Sequence, residues 1–143
     1  MSFKIVTDQH RLRARSSESF VIPVSLPQEM MKLMREHKGV GLAAPQVGFF
    51  IRLFVTEWNE MFVNPVITAH SNDSEIKMEG CLSLPGVEVP VPRWTRITLN
   101  GNRDFKGIQA RVIQHEIDHL NGILITDYRN GVHGISSGLS RVG

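Results

Sequence analysis

The residues with the clearest chemistry form the pentapeptide His115-Glu116-Ile117-Asp118-His119 near the end of the chain. Histidines spaced i, i+4 lie on one face of a helix, about one turn apart, so both imidazoles can reach the same metal ion. Glu116 follows the first histidine, and from there it can approach a metal-bound water without itself binding the metal, as a general base must. In an arbitrary helix, two solvated or hydrogen-bonded histidines would produce the same pattern.

A third metal ligand would strengthen the metal interpretation. Among zinc peptidases with this helix, one group uses a histidine six residues after the second, where this chain has Ile125. Another group uses a glutamate farther downstream, and no glutamate follows His119. The remaining candidate is Cys81, the only cysteine in the sequence. One thiolate and two imidazoles would leave a tetrahedral position open for water, which is typical of a catalytic metal. Alternatively, Cys81 is a small buried apolar side chain.

Two helices are predicted, one on each side of a β-rich middle. The first spans residues 25–39, where Ser25 and Gln28 form a capping-box pair, Pro27 lies in the first turn and Gly39 ends the helix. Its apolar stripe is predicted to face the core and consists of Leu26, Met30, Leu33 and Met34, with His37 continuing the same face. The second helix spans residues 108–120, ends at Gly122 and carries the histidine pair.

The middle of the chain and the segment after the second helix are predicted to be mostly strands and turns. Asn100-Gly101 is the strongest hairpin signal, with residues 97–99 before it and Phe105 on the return strand. Further strands are predicted over residues 49–56, 61–68, 87–91 and 123–126, with a polar turn over residues 70–77. We therefore expect an α+β fold in which antiparallel strands pack around a late metal-binding helix, with a second capped helix near the N-terminus.

Composition excludes several broad classes. The 143 residues suit a single domain, predicted over residues 1–143, in which about 130–143 form a flexible Gly/Ser-rich tail. Hydrophobic residues make up 41% and charged residues 21%, which argues against a disordered or fibrous chain. A net charge of only +2 does not imply nucleic acid as a partner. The sequence contains no signal-peptide pattern and no apolar run near the ~20 residues that span a bilayer, so we expect a cytoplasmic protein without membrane partners.

Three segments carry a family resemblance. Residues 39–46 read Gly-Val-Gly-Leu-Ala-Ala-Pro-Gln, residues 79–83 read Glu-Gly-Cys-Leu-Ser, and residues 114–120 read Gln-His-Glu-Ile-Asp-His-Leu. In this order they resemble the three motifs of the peptide deformylases, and the resemblance extends over most of residues 5–128. It implies metal-dependent hydrolysis of the formyl group from N-formylmethionyl peptides, with release of formate. The implied cofactor is one divalent ion, Fe²⁺ physiologically, with Zn²⁺, Ni²⁺ or Co²⁺ able to occupy the same ligands.

The resemblance also implies roles for individual residues. Cys81, His115 and His119 are the implied metal ligands, and a hydroxide on the metal is the nucleophile. Glu116 is expected to act as general acid and base. The Gln46 side-chain amide and the Leu82 backbone N–H are expected to donate to the formyl oxygen. The residues expected to bind the substrate, including an apolar pocket for methionine, are Val40, Gly41, Glu79, Ile108 and Val112.

Some positions depart from the family pattern or have two interpretations. Many family members have an arginine where this chain has Glu88, which puts peptide preference in doubt unless Arg93 compensates. Asp118 is expected either to orient a histidine ligand or nearby backbone, or to form a surface salt bridge. A tail of this composition does not favour the ribosome-docking helix of many bacterial members, so the chain resembles compact phage-encoded forms. We expect it to be a monomer.

Three alternatives compete with the deformylase interpretation. The first is a structural metal-binding module, for which a fourth ligand would come from His10, His37, His70 or His133. The second is a small metallopeptidase, which the missing third histidine or glutamate disfavours. The third is a hydrolase that uses Cys81 as nucleophile, in which the two histidines and Glu116 would have no reason to share a helix.

Overall fold

The computed structural model describes residues 3–131. Three α-helices occur in this range: α1 (Gln9–Leu12), α2 (Leu26–Glu36) and α3 (Gly107–Leu120). Two 3-10 helices cover Ala44–Val47 and Ile125–Gly131. None of the helices in residues 3–131 has both the length and the apolar character needed to cross a bilayer.

Eight strands form three antiparallel sheets. The first sheet has the order β1 (Gly41–Ala43), β2 (Leu53–Thr56), β3 (Glu60–Val63). The second has the order β4 (Ile67–His70), β7 (Arg96–Leu99), β8 (Arg103–Lys106). The third is a two-stranded hairpin of β5 (Ser74–Cys81) and β6 (Leu84–Trp94). The antiparallel α+β fold predicted from the sequence is confirmed.

Helix α3 packs against strands of all three sheets, which explains why it can position a site between them. Its buried face, which includes Ile113, Ile117 and Leu120, joins the apolar cluster containing Phe54 and Leu99. Helix α2 covers the first sheet, and the four apolar residues of its predicted stripe are confirmed as core. His37, predicted to continue this face, is exposed and follows the end of the helix. The metal-binding helix is therefore held on most of its sides by burial of apolar surface rather than by its own propensity.

Local details of helix α2 differ from the expectation. Ser25 does precede the helix, but its backbone is already in the right-handed helical region and its side chain makes no capping bond. The helix ends at Glu36, before the predicted Gly39, and Lys38 takes the left-handed conformation with φ of 57°. The predicted capped helix is thus confirmed as a helix, and the predicted capping box is wrong.

Several strand and turn predictions were wrong in extent or type. Segment 49–56 is a strand only from Leu53, where β2 begins. The polar segment 70–77 contains the expected turn, but its second half already belongs to β5, because pairing with β6 can stabilise a strand whose side chains are mostly exposed. Segment 61–68 is divided at Asn64, which has φ of 49°, into β3 and β4. Residues 123–126 form no strand, and the 3-10 helix Ile125–Gly131 begins within them. The Asn100-Gly101 hairpin between β7 and β8 is confirmed.

The predicted tail over residues 130–143 is mostly beyond the described range. Residues 130 and 131 end the second 3-10 helix, and the rest lie outside the described residues. The single-domain boundary over residues 1–143 stays a prediction.

Candidate metal centre and active site

The three predicted metal ligands converge at the end of strand β5. Their ligand atoms, one each from Cys81, His115 and His119, all lie within 4.8 Å of one another. The distance from Cys81 Sγ to His119 Nε2 is 3.4 Å. A tetrahedral ion with metal–sulfur and metal–nitrogen bonds of about 2.3 and 2.05 Å would place these two atoms about 3.6 Å apart. The donor set therefore fits one divalent ion in both chemistry and spacing.

The β5–β6 hairpin carries the cysteine toward the helix. The pairing of the two strands is regular from Ser74 to Glu79 and then shifts before Cys81, which pairs with Leu84. Such irregularities bend a strand and redirect the side chains that follow, and they are common beside active sites. No strand irregularity is needed to bring His115 and His119 together, because helix α3 places them one turn apart.

The electrostatics of the cluster favour a thiolate. Burial by itself would raise the pKa of the Cys81 thiol, but the nearby imidazoles of His119 and His115 lower this pKa to about 5. At neutral pH the sulfur is then the anion that binds metals. This environment contradicts the alternative in which Cys81 is only a small apolar core residue.

Glu79 orients the first histidine. Its Oε1 lies 2.9 Å from His115 Nδ1, which leaves His115 Nε2 on the side of the ligand cluster. Burial would raise the Glu79 pKa, but Arg93 and the hydrogen bond from His115 hold it well below its usual value. A charged carboxylate on Nδ1–H fixes the tautomer of a metal-binding histidine and raises its basicity. Two guanidinium groups hold the carboxylate in turn, through bonds of 2.8 Å from Arg93 Nη2 and 2.6 Å from Arg111 Nη1.

A buried polar network extends from Glu79 to the second 3-10 helix. Arg93, only 3% exposed, also donates to Asp118 Oδ2 over 2.6 Å. The same oxygen accepts a 2.7 Å hydrogen bond from the Tyr128 hydroxyl. The predictions that Asp118 contacts a histidine ligand or lies in a surface pair are therefore wrong, because its partners are a buried arginine and tyrosine. Arg93 cannot replace the arginine that many family members have at the position of Glu88, since its guanidinium already binds Glu79 and Asp118 inside the protein.

Glu116 is buried beside the ligands and has an unused acceptor. Its Oε2 lies 4.0 Å from His115 Nε2, and its Oε1 has no hydrogen-bond partner among the described residues. Burial raises the pKa of this carboxyl, opposed by the charges of His115 and His119. Gly41 leaves the room that Glu116 needs, because a Cβ at Gly41 would lie 2.7 Å from Glu116 Oε2.

Gln46 and Leu82 lie next to the thiolate. The Gln46 amide is fixed at both ends: Oε1 accepts from the Ala43 backbone N–H at 2.9 Å, and Nε2 donates to Ser83 Oγ at 3.1 Å. Gln46 Nε2 is also 3.8 Å from Cys81 Sγ, which places an amide donor next to the metal ligands. Leu82 follows the cysteine directly and lines the same cavity.

A cavity of about 390 Å³ opens onto the cluster. Among the predicted site residues, only His119 does not line it, and its side chain is almost fully buried. Sequence reasoning missed Lys38, Met78 and Arg111 on its walls. Arg111 precedes His115 by one helical turn, and that spacing could have indicated it. The predicted residues that the cavity brings together are Val40, Gly41, Gln46, Glu79, Cys81, Leu82, Ile108, Val112, His115 and Glu116.

The described residues offer three metal ligands at this site and no fourth one. Of the alternative fourth ligands, His70 stacks on Trp94 with ring centroids 3.8 Å apart, and its Nδ1 contacts the Ser71 carbonyl. His133 lies outside the described residues. With an open cavity beside it, this ligand set fits a catalytic ion better than a structural one.

Fold and site together define a metal-dependent hydrolase. The family model described as polypeptide deformylase matches residues 3–133, and the chain belongs to this peptide deformylase family. The enzymes of this family remove the formyl group from N-formylmethionyl peptides.

Individual relatives agree with this assignment. The chain is 46% identical over 113 residues to a peptide deformylase of Dictyoglomus thermophilum, covering 71% of this chain and 73% of that protein. It is 43% identical over 116 residues to peptide deformylase 1 of Clostridium perfringens, covering 72% and 78%.

Solved structures show the same fold. The peptide deformylase of Thermotoga maritima superposes with a TM-score of 0.82 at 35% identity, covering 89% of this chain and 97% of that one. The enzyme of the Vibrio parahaemolyticus bacteriophage VP16T, solved in complex with actinonin, gives 0.78 at 33% identity, covering 87% and 100%.

Proposed function

We propose that Cys81, His115 and His119 hold one divalent metal ion and that Glu116 moves the proton as N-formylmethionyl peptides are hydrolysed. The supporting observation is the convergence of three ligand atoms within 4.8 Å, at a cavity that Glu116 also lines. When bound, such an ion lowers the pKa of a coordinated water toward ~7 and polarises a carbonyl oxygen. The remaining work falls to the chain's own side chains.

Glu116 is proposed as general base and then general acid. Its Oε1 is a buried acceptor with no hydrogen-bond partner in residues 3–131, so it can take a proton from the attacking water. Because burial raises the pKa of this carboxyl, it holds that proton readily and can pass it to the departing amine nitrogen. Proton transfer by a positioned group contributes about 10²–10⁴-fold in rate.

Gln46 and Leu82 are proposed to donate to the formyl oxygen. Ala43 and Ser83 fix the Gln46 amide plane, and the second hydrogen on Nε2 is directed at Cys81 Sγ over 3.8 Å, beside the place where we propose that the formyl oxygen binds. A donor that is oriented before the reaction needs no rearrangement as negative charge develops on the oxygen. Removing one such donor costs about 3 kcal/mol in other hydrolases.

The methionine side chain is proposed to enter the apolar part of the cavity. Val112 is buried in its wall, while Val40 and Ile108 are partly exposed at its mouth. The main chain at Gly41 is proposed to approach the peptide backbone closely. Glu79 lines the cavity too, but its oxygens are taken by Arg93, Arg111 and His115, so we propose that it acts on the metal ligand rather than on the peptide.

Iron, cellular location and association state are further proposals. We propose Fe²⁺ as the physiological ion, with Zn²⁺, Ni²⁺ or Co²⁺ as substitutes, because thiolate and imidazole ligands accept all of these ions. We also propose a monomer that acts in the cytoplasm on nascent chains, without specific nucleic-acid partners. Metal analysis of anaerobically purified protein and its sedimentation behaviour test the first and third of these proposals.

Formate release tests the reaction directly. The protein loaded with Fe²⁺ under anaerobic conditions should release formate from formyl-Met-Ala-Ser, and a chelator should abolish that release. Glu116→Gln should keep the metal and lose about 10²–10⁴-fold in kcat. Activity that survives metal removal would instead indicate Cys81 as nucleophile, and cleavage of an internal peptide bond would indicate a peptidase. A loaded protein inactive toward every peptide would leave a structural metal module.

A further inference from the structure

The two faces of the β5–β6 hairpin have opposite character. Ile76 is paired with Pro92, and Met78 with Pro90, so all four side chains lie on one face. The alternate residues of β6, which include Val89 and Val91, are buried on the other face. The hairpin therefore packs onto the core through one face and turns an apolar surface outward.

This outward surface, which we call the hairpin shelf, consists of Ile76, Met78, Pro90 and Pro92. Ile76 is 67% exposed and Met78 is 59% exposed. Isolated exposed apolar residues are ordinary, but a contiguous apolar surface on a small soluble domain often marks a binding site. The two prolines lack an N–H, so this part of the shelf offers neighbours shape and apolar contact rather than backbone donors.

The shelf is continuous with the mouth of the active-site cavity. Met78 belongs to the shelf and also lines the cavity. Ile108, which is 59% exposed on the first turn of α3, lines the cavity from the side of Glu75 and Lys77 and is not part of the shelf. Ile76 lies two residues from Met78 on the same strand face, and it does not line the cavity. A ligand that leaves the cavity past Met78 therefore meets Ile76 next.

We propose that the hairpin shelf is a subsite for apolar side chains that follow the formylmethionine of the substrate. This inference rests on the proposed function, because it takes the peptide to leave the cavity on this side. An extended peptide advances about 3.3 Å per residue, so its alternate side chains match the spacing of Ile76 and Met78. The peptide supplies apolar groups, and burial of apolar area against the shelf favours them.

The charge of Glu88, at the cavity end of the shelf, also bears on which residues can follow formylmethionine. Glu88 precedes Pro90 by two residues on β6 and is exposed, so alternation places it on the shelf face. A carboxylate there disfavours acidic residues behind the methionine. Glu75 and Lys77 point to the other face of β5, where they pair with each other over 3.6 Å. The structure thus favours apolar over acidic sequences after formylmethionine.

A peptide pair with a matched variant tests the subsite. Formate release is measured as kcat/KM for formyl-Met-Leu-Leu-Leu-Lys and formyl-Met-Ser-Ser-Ser-Lys, whose lysine keeps both soluble. The wild type should prefer the leucine peptide, and Ile76→Ser should lower this preference about threefold to tenfold. Met61→Ser is the control, because Met61 is exposed on β3 and lies outside the cavity lining. Its preference should equal that of the wild type.

Each outcome separates the inference from the proposed function. If the wild type releases no formate from either peptide, the proposed function fails and the inference fails with it. If both peptides are deformylated and Ile76→Ser leaves their ratio unchanged, the inference alone is overturned. The serine peptide also reports folding, because its kcat/KM should be the same in Ile76→Ser and wild type.

A second copy of the chain is the competing occupant of the shelf. Sedimentation velocity of the wild type and Ile76→Ser at several concentrations distinguishes it from the peptide. A wild-type dimer that Ile76→Ser dissociates would assign the shelf to self-association and overturn the subsite. A wild type that is monomeric at assay concentration supports it.

Discussion

Gly41→Ala should displace the Glu116 carboxylate and leave the three metal ligands in place. A Cβ at Gly41 would lie 2.7 Å from Glu116 Oε2 and 3.1 Å from Cδ, whereas ordinary contacts begin at 3.4 Å. The carboxylate must therefore move by about 0.7 Å. The backbone at Gly41 does not have positive φ, so alanine adds no conformational strain of its own.

We expect this displacement to lower kcat about 30- to 100-fold, because errors near 1 Å in the position of a catalytic group cost about 10²-fold. Metal content should stay at the wild-type value, since Glu116 is not one of the three ligands. KM should change little if the methyl group acts on the base rather than on the peptide. Formate release, metal analysis and thermal unfolding measure these quantities.

Gly80→Ala is a matched control on the same cavity wall. The nearest atom to a Cβ there is the Val87 carbonyl oxygen at 3.7 Å, which is an ordinary contact. A double variant, Gly41→Ala with Glu116→Asp, gives a second check, because the shorter acid no longer meets the methyl group. It should be no slower than Glu116→Asp alone. If Gly41→Ala kept its full kcat, or if its loss were additive with Glu116→Asp, the placement of Glu116 would be refuted.

Three other changes test separate parts of the site. Cys81→Ser should abolish tight metal binding, because a neutral hydroxyl replaces a soft anion, and retention of wild-type affinity in a chelator competition would contradict the ligand assignment. Tyr128→Phe should weaken metal binding about threefold to tenfold, because it loosens the network that ends on His115, whereas Asp127→Asn on the same 3-10 helix should lower stability without changing affinity. Equal affinities for the two variants would show that the network does not reach the metal. Asp73→Asn should destabilise the protein at pH 7 but not at pH 2. The Thr95 hydroxyl lowers the pKa of Asp73, so the stability it adds is present above the unfolded pKa and is lost as pH falls through the folded value. A pH-independent difference in unfolding free energy would contradict this linkage.

Local signals in the sequence predicted the elements that carry the site. The spacing of His115 and His119 determines their common helix face, and Asn100-Gly101 determines the β7–β8 hairpin. Both signals depend on backbone geometry over a few residues, which hardly depends on the remainder of the chain. Cys81 required exclusion of other ligands and the motif around it, because no local rule links it to a histidine 34 residues away.

Segments without a strong local period were predicted poorly. Strand β5 begins with polar residues, and only pairing with β6 identifies it as a strand. Residues 123–125 are apolar and buried, but burial alone does not distinguish a strand from a turn or a 3-10 helix.

Only the tertiary structure decided which charged groups meet. Asp118 could have pointed to a ligand or to solvent, and its actual partners, Arg93 and Tyr128, come from β6 and from the second 3-10 helix. Likewise, nothing near Gly41 in the sequence reveals that Glu116 occupies the space of its missing side chain. The sequence by itself determined the helix, the hairpin and the ligand types, because these follow from short-range sterics. The buried ion pairs and the shape of the cavity depend on how distant segments pack, since a buried charge is stable only where packing brings it an opposite charge.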